Sequence, residues 1–226
     1  MTEAFPFLKP INELPGIRAG WIERIPDLPL AVDRSEAMEI LRTHHTAAVQ
    51  EFGGPSCTWA RAEQVHGTAL GVIPGAKTVI AQDGLPIVPL VDGLITQQTG
   101  IVLAIYVADC GPIWLADRIS GAIGLLHSGK KGTEGNILEN ALREMAIHFG
   151  TRPADVSVVL GPCIRPPDYE VDFAAEITRQ ARQAGVGNFL DCEINTATDL
   201  TRHYSYRREL GKTGRMMAMI VKTALP

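Results

Sequence analysis

The 226-residue sequence lacks the features that mark membrane, secreted and nucleic-acid-binding proteins. Its longest apolar run, residues 100–108, is far shorter than the roughly 18 apolar residues that a membrane helix needs. Acidic residues (25) outnumber basic ones (21), which argues against nucleic acid as a partner. The first residues do not combine a basic start with an apolar stretch, so we expect no signal peptide. These absences predict a cytoplasmic protein with neither a membrane nor nucleic acid as its partner.

Cysteine is scarce and scattered. The four cysteines stand at positions 57, 110, 163 and 192, and no two of them form a Cys-x-x-Cys pair. The spacing excludes a small disulfide framework and a compact zinc-finger motif, and it predicts reduced thiols. An apolar content of 46% is ordinary for a globular chain, which excludes disorder as its main state.

Apolar patterning predicts more strands than helices. Strands are predicted at residues 17–22, 57–72, 91–96, 101–107, 113–116, 122–126, 156–160, 189–194 and 216–221, and helices at residues 34–51, 135–149, 173–184 and 195–203, with Ser35 capping the first helix. Residues 1–30, which are rich in proline, are expected to form an irregular lead-in around the first strand. Because several strands follow one another directly, we expect an α+β fold: a single layered sandwich domain with mixed β-sheets flanked by helices.

Three segments place a histidine or a cysteine where an apolar strand gives way to a turn. They are Gln64-Val65-His66-Gly67, Ala108-Asp109-Cys110-Gly111 and His127-Ser128-Gly129. Two imidazoles and a thiolate suit Zn²⁺, and three protein ligands leave the fourth position open, as in catalytic sites. His66, Cys110 and His127 are 44 and 17 residues apart, which matches no local metal motif. The residues alone therefore leave buried packing or simple hydrogen bonding open for each of them.

Five motifs resemble, in their order, those of the laccase-domain or multicopper polyphenol oxidoreductase family. They are Gln-Val-His-Gly, Ala-Asp-Cys-Gly-Pro, His-Ser-Gly-Lys-Lys-Gly, Gly-Pro-Cys-Ile and Tyr-Glu-Val, and the similarity covers residues 57–222. The resemblance implies a zinc-dependent enzyme of purine nucleoside metabolism, with phosphorolysis of inosine or adenosine and deamination of adenosine as its reactions. It also implies that His66, Cys110 and His127 are catalytic and hold one Zn²⁺ per chain.

A phosphorylase must hold phosphate while the phosphate attacks C1′ of the ribose. The basic candidates for this task are Lys130, Lys131, Arg207, Arg208 and Arg215. Lys130 and Lys131 rank first because they follow His127 closely and lie between glycines, and they stand where the family usually has Trp-Arg. A solvated surface position is the alternative for each of the five.

Two aspartates border the candidate site. Asp109 precedes Cys110 and is expected to act in catalysis, either by orienting a metal ligand or by accepting a proton, with a strand-end cap as the alternative. Asp92 is expected to serve a turn, with shaping of the pocket as the alternative.

Three other functions stay open. A copper-dependent polyphenol oxidase, with copper as cofactor, ranks lower because the chain has six histidines and no His-x-His pair. A metal-free hydrolase would use Cys110 as nucleophile and His127 or His66 as base, as a toxin deamidase domain that shares the implied fold does with a Cys/His pair. An inactive nucleoside-binding homologue is suggested by the Lys130-Lys131 replacement.

Overall fold

Two large β-sheets, a small hairpin and five α-helices make up the computed structural model of the protein, which describes residues 5–54 and 56–224. The strands are β1 (Ile17–Ile22), β2 (Thr58–Arg61), β3 (Leu70–Ile73), β4 (Val79–Ile80), β5 (Pro86–Ile87), β6 (Gly93–Thr96), β7 (Ile101–Val107), β8 (Gly111–Asp117), β9 (Ile123–Ser128), β10 (Val156–Leu160), β11 (Asn188–Asp191) and β12 (Met216–Lys222). The helices are α1 (Lys9–Asn12), α2 (Arg34–Gly53), α3 (Lys130–Glu134), α4 (Ile137–Phe149) and α5 (Phe173–Gln183), and short 3-10 helices lie at Pro6–Leu8 and Pro153–Asp155.

Both large sheets contain parallel and antiparallel neighbours. The four-stranded sheet has the order β1-β12-β7-β2, and the six-stranded sheet has the order β11-β10-β8-β9-β6-β3. The parallel pairs are β2–β7, β3–β6 and β10–β11, and the other neighbours in the two sheets are antiparallel. The prediction of mixed sheets is therefore confirmed.

The two sheets lie face to face, and helices cover both outer sides. Trp21 of β1 and Trp114 of β8 meet edge to face in the core between the sheets, with ring centroids 6.0 Å apart. Helices α4 and α5 pack on the outer face of the six-stranded sheet, and α2 packs on the outer face of the four-stranded one. Because both faces of β8, β10 and β12 are covered, these strands are apolar except for Asp117, Ser157 and Lys222 and do not alternate. The predicted α+β layered sandwich is confirmed.

Helices α2 and α5 begin at the predicted residues, 34 and 173, but α2 and α4 are capped by residues that the sequence patterns did not identify. Asp33, and not Ser35, caps α2, because its carboxylate accepts the Glu36 N–H at 3.0 Å. Helix α4 begins after Asn136, which caps it from a left-handed conformation, and the separate helix α3 precedes it. Within residues 5–54 and 56–224, no helix is long and apolar enough to cross a membrane.

Three predicted segments differ from the structure. The lead-in is not irregular, since it contains α1, and Leu8 and Ile11 are buried in the core; residues 1–4 lie outside the described part. The predicted strand over residues 57–72 is two strands, β2 and β3, with the His66 loop between them. The predicted helix over residues 195–203 is wrong, because the Asn195 and Asp199 side chains accept backbone N–H groups two residues further on and form turns instead.

A buried arginine attaches the β4–β5 hairpin to the four-stranded sheet. Arg61, at the end of β2, donates to both carboxylate oxygens of Asp83 at 2.6 and 2.9 Å. The same guanidinium donates to the carbonyls of Leu85 and Pro86. Burial by itself would raise the pKa of Asp83, but the hydrogen bonds from Arg61 and from the Leu85 N–H outweigh it and lower that pKa.

Replacing Asp83 with Asn should lower the free energy of unfolding by about 1–3 kcal/mol at neutral pH, because the buried Arg61 charge loses its counter-ion. Since the pKa of Asp83 is lower in the folded state, its stabilising charge is fully present above about pH 4 and is lost as the pH falls through the folded-state pKa. Urea unfolding should show a gap between wild type and D83N that shrinks as the pH is lowered. A gap that stays constant down to about pH 3 would contradict this account.

Candidate metal centre

The three candidate ligands lie on three segments that the sheets bring together. His127 is on β9, in register with Pro112 of β8. Cys110 stands in the tight turn immediately before β8 begins. His66 lies in the loop between β2 and β3, where Gln64 and His66 both adopt left-handed backbone conformations, with φ of 66° and 63°. Such conformations are costly for residues other than glycine, so surrounding contacts must hold this loop.

Gln64 supplies one of those contacts. Its buried side-chain amide accepts the Tyr106 N–H at 2.8 Å and donates to the Tyr106 carbonyl at 2.5 Å. This pair of bonds fixes the loop to the end of β7, four residues before Cys110. The sequence analysis assigned Gln64 no role, although it precedes His66 in the Gln-Val-His-Gly motif.

The ligand atoms of His66, Cys110 and His127 all lie within 4.8 Å of one another. The two imidazole rings meet edge to face, with centroids 4.9 Å apart. His127 is buried, Cys110 is half-buried and His66 is exposed. Among the residues that the structure describes, no other group of three or more His, Cys, Asp or Glu side chains converges in this way. The cluster could hold a metal ion.

Asp92 joins the two histidine-bearing segments. Its fully buried carboxylate accepts the N–H groups of Val65, His66 and Gly67 at 3.2, 2.8 and 2.7 Å. The same carboxylate lies 2.8 Å from Nδ1 of His127. An Nδ1–H donated to Asp92 leaves Nε2 of His127 as the nitrogen for a metal, which is how carboxylates orient histidine ligands. The expectation that Asp92 serves a turn is wrong, since its partners belong to other segments.

The cluster favours a charged thiolate beside a charged imidazole. Burial would raise the pKa of Cys110, but the charge and hydrogen bonds of His127 and His66 outweigh it and lower that pKa. Burial would likewise lower the pKa of His127, and the Cys110 thiolate and Asp92 outweigh it and raise that pKa. The thiolate is the form of cysteine that binds metals.

Gly129 leaves room for the Cys110 sulfur because it has no side chain. A Cβ atom at Gly129 would lie 2.6 Å from Sγ of Cys110, closer than any real contact of that kind. The donor set, the carboxylate behind His127 and this space around the sulfur all fit a metal such as Zn²⁺.

The ligand cluster opens into a cavity of about 900 Å³. The predicted site residues that line it are His66, Asp109, Cys110, His127, Lys130, Lys131, Arg207 and Arg215. Four aromatic side chains also belong to its lining: Tyr106, Tyr169, Phe173 and Tyr206. Arg34, which the sequence analysis did not single out, lines it as well. The cavity is thus both basic and aromatic.

The basic residues of the cavity differ in their partners. Arg215 is buried, and its Nη1 donates to the carbonyls of Thr213 and Gly214. Among the described residues, Arg215 forms no ion pair with a carboxylate. Burial and then the charge of Arg34 lower the pKa of Arg215 to about 10.

The other candidate cations lie nearer the surface. Arg207 pairs with Glu170 at 2.7 Å and lies over the Tyr169 ring. Lys130 and Lys131 are exposed at the start of α3. Arg208 is not brought into the cavity, because its guanidinium points to Asp168 at 3.5 Å.

Asp109 lies beside Cys110 with its carboxylate turned toward other partners. The carboxylate accepts the Thr196 hydroxyl at 2.7 Å, the Ser205 hydroxyl at 3.1 Å and the Arg207 N–H at 2.7 Å. It is Asp92, and not Asp109, whose carboxylate bonds to a candidate metal ligand.

A family model described as multi-copper polyphenol oxidoreductase laccase matches residues 26–177 and 171–223. The chain belongs to this laccase family. The resemblance expected from the five ordered motifs is therefore confirmed.

Similar proteins are named for a different activity, that of a purine nucleoside phosphorylase. The purine nucleoside phosphorylase of Deinococcus radiodurans is 33% identical over 230 aligned residues, which cover 90% of this chain and 86% of that protein. The purine nucleoside phosphorylase YlmD of Geobacillus stearothermophilus is 32% identical over 195 residues, which cover 72% of this chain and 71% of that protein. The crystal structure of that organism's YlmD superposes with a TM-score of 0.75 and 26% identity, over 95% of this laccase-family chain and 94% of that one.

Replacing Asp92 with Asn should weaken zinc binding about 10–100-fold, because the change removes the carboxylate that orients His127. The measurement is competition against a chromophoric chelator. D117N is the matched control, since Asp117 is an equally buried aspartate at the far end of β8 that accepts the Ile119 and Ser120 N–H groups. Equal zinc affinity in D92N and D117N would contradict the role given to Asp92.

Proposed function

We propose that this protein is a zinc-dependent purine nucleoside phosphorylase that cleaves inosine or adenosine with phosphate. The observation that carries the proposal is the convergence of His66, Cys110 and His127 in one cavity with the buried Arg215 guanidinium, which forms no ion pair with a carboxylate of the described residues. The names of the relatives from Deinococcus radiodurans and Geobacillus stearothermophilus support the same activity.

One zinc ion per chain would be held by Cys110 and by one nitrogen each of His66 and His127. A bound zinc ion supplies Lewis acidity next to the reacting groups. Copper is the less favoured cofactor. A multicopper oxidase needs ligands for several copper ions, whereas the described residues converge on a single set of two histidines and one cysteine.

The cavity suits a flat base and an anion. Tyr169, Phe173 and Tyr206 offer aromatic faces and edges to a purine, and the first two rings already meet edge to face with centroids 6.0 Å apart. Phosphorolysis forms a bond between a phosphate oxygen and C1′ of the ribose and breaks the bond between C1′ and the purine nitrogen. Residues of this chain would therefore have to hold phosphate next to the ribose.

Arg215 is the cation best placed to hold that phosphate. A buried guanidinium without a counter-ion is costly, so an anionic ligand that pairs with it would bind with a large gain. Arg207, Lys130 and Lys131 would add positive charge nearer the entrance, and Arg34 would add it beside Arg215. Arg208 is not part of this proposal.

Adenosine deamination is a second candidate activity of the same centre. It is favoured by the donor set, because zinc-dependent nucleobase deaminases also combine histidine and cysteine ligands. The reaction would take place in the cytoplasm, where thiols stay reduced and Cys110 remains available as a ligand.

Replacing Cys110 with Ala should abolish both zinc binding and turnover, because it removes the thiolate ligand. The measurements are metal analysis and chromatography of products from inosine and adenosine, with and without phosphate. The wild type should contain one zinc per chain and release ribose 1-phosphate only when phosphate is present. Cys57→Ala is the control, since Cys57 is a free thiol that does not line the cavity.

Each alternative has its own outcome once a phenol-oxidation assay and calorimetric binding of inosine are added to that experiment. Full zinc content and activity in C110A would overturn the site. Ribose released without phosphate by metal-free protein indicates the Cys/His hydrolase, and copper with phenol oxidation indicates the oxidase. Inosine formed from adenosine indicates deamination. Nucleoside binding without turnover indicates an inactive homologue.

Replacing Arg215 with Ala should raise the KM for phosphate about 10–100-fold, because hydrogen bonds to a charged ligand contribute about 1.5–3 kcal/mol. The matched control is Arg208→Ala, which removes an exposed arginine outside the cavity and should change that KM by less than about twofold. Steady-state kinetics at saturating nucleoside measures both. Equal effects of the two substitutions would contradict the phosphate role of Arg215.

A further inference from the structure

Asp109 connects the turn that bears Cys110 to the segment that bears Arg207. It is a buried non-glycine residue in a left-handed conformation, with φ of 86°, in the turn between β7 and β8. Its carboxylate accepts three hydrogen bonds, from the Thr196 hydroxyl, the Ser205 hydroxyl and the Arg207 N–H. These donors lie 87 to 98 residues further along the chain.

The segment that Asp109 holds carries one wall of the cavity. Tyr206, Arg207, Leu210 and Arg215 all line the cavity from residues 204–215, which contain turns and no helix before β12 begins. Within the segment, Glu209 accepts the Ser205 N–H at 2.9 Å and the Thr213 hydroxyl at 2.5 Å. Those bonds keep the segment folded on itself, whereas the bonds to Asp109 attach it to the turn that bears Cys110.

We propose that Asp109 is a positioning residue that fixes segment 204–215 against the metal-binding turn and does not take the substrate's proton. Three of the roughly four acceptor positions of its carboxylate are already filled by the protein. A general base needs a free acceptor position aimed at the proton that it removes. The kinetic part of this inference rests on the proposed phosphorylase function.

The two buried aspartates of the site then have separate tasks. Asp92 forms hydrogen bonds with the His66 backbone and the His127 ring, so its replacement should change metal binding. Asp109 accepts hydrogen bonds from the segment that carries Tyr206 and Arg207, so its replacement should change the binding of nucleoside and phosphate. Replacing one should leave the task of the other intact.

Asp109→Asn separates these tasks in the zinc-loaded protein. Asparagine tolerates the left-handed backbone, so the turn is kept, but it offers one acceptor oxygen where the carboxylate offers two. That single oxygen cannot replace both the oxygen that accepts the Thr196 hydroxyl and the oxygen that accepts Ser205 and Arg207. We expect unchanged zinc content, a kcat within about threefold of wild type, and KM values for nucleoside and phosphate raised about tenfold or more. We also expect the Arg207 amide to exchange its hydrogen about tenfold faster or more, because the segment loses part of its hydrogen bonding to residue 109 and opens more often.

A catalytic base at this position gives the opposite kinetic result. It predicts that D109N loses about 10²–10⁴-fold in kcat with unchanged KM, and this outcome would overturn the proposal. Unchanged exchange at Arg207 together with unchanged KM values would overturn it as well. The control is again D117N, which removes a buried carboxylate with a comparable set of donors at the other end of β8 and should alter neither KM nor Arg207 exchange.

Variants of the donors keep the inference testable if D109N does not fold. Ser205→Ala and Thr196→Val each remove one hydroxyl from Asp109 and should raise KM without loss of zinc. Combined with D109N in a folded protein, Ser205→Ala should add less than its separate effect, since the two residues share one bond. If neither hydroxyl variant changes KM or the hydrogen exchange of the Arg207 amide, the positioning role is refuted.

The failure of the proposed function can be told apart from the failure of this inference. If the wild type turns over neither inosine nor adenosine, the phosphorylase proposal fails, while hydrogen exchange at Arg207 and zinc content still test what Asp109 holds. Calorimetric binding of inosine then takes the place of KM.

Discussion

The site depends on one buried carboxylate. Asp92 accepts hydrogen bonds from three consecutive N–H groups of the His66 loop and from the ring of His127. A fully buried charge is tolerated only when its acceptor positions are filled, and here the donors that fill them are the segments that carry two candidate ligands. The hydrogen bonds that replace water around the Asp92 carboxylate are therefore the same bonds that fix the positions of His66 and His127.

Several costly local features of the chain line the cavity next to this carboxylate's partner loop. Gln64, His66 and Asp109 adopt left-handed conformations that residues other than glycine rarely take, and Arg215 is a buried cation that forms no ion pair with a carboxylate of the described residues. The surrounding layers supply the stability that such features need, since apolar cores lie on both faces of the central strands. Strain and unpaired charge that persist in one cavity are typical of a site prepared for ligands.

The family name and the chemistry of the site point in different directions. The family is described by multicopper polyphenol oxidation, whereas the described residues converge on a single set of two histidines and one cysteine. One such set lacks the ligands for several copper ions, while it suits a catalytic zinc with an open position. The arginine and the aromatic rings next to that set support the proposal of a purine nucleoside and phosphate as substrates.

The sequence by itself determined the layered α+β fold and the identity of the three clustered side chains. Strands covered on both faces must be largely apolar, so β7, β8 and β12 can be recognised from local composition, and the glycine-flanked His66, Cys110 and His127 stand out in ordered motifs. Local patterns failed at residues 195–203, where side chains compete with helical hydrogen bonds. Only the tertiary structure decided that Asp92 orients His127, that Asp109 holds the Arg207 segment, and that Arg215 and not Arg208 faces the cavity. Each of these facts is a contact between residues dozens of positions apart, and the packing of the two sheets, which no local pattern encodes, brings them together.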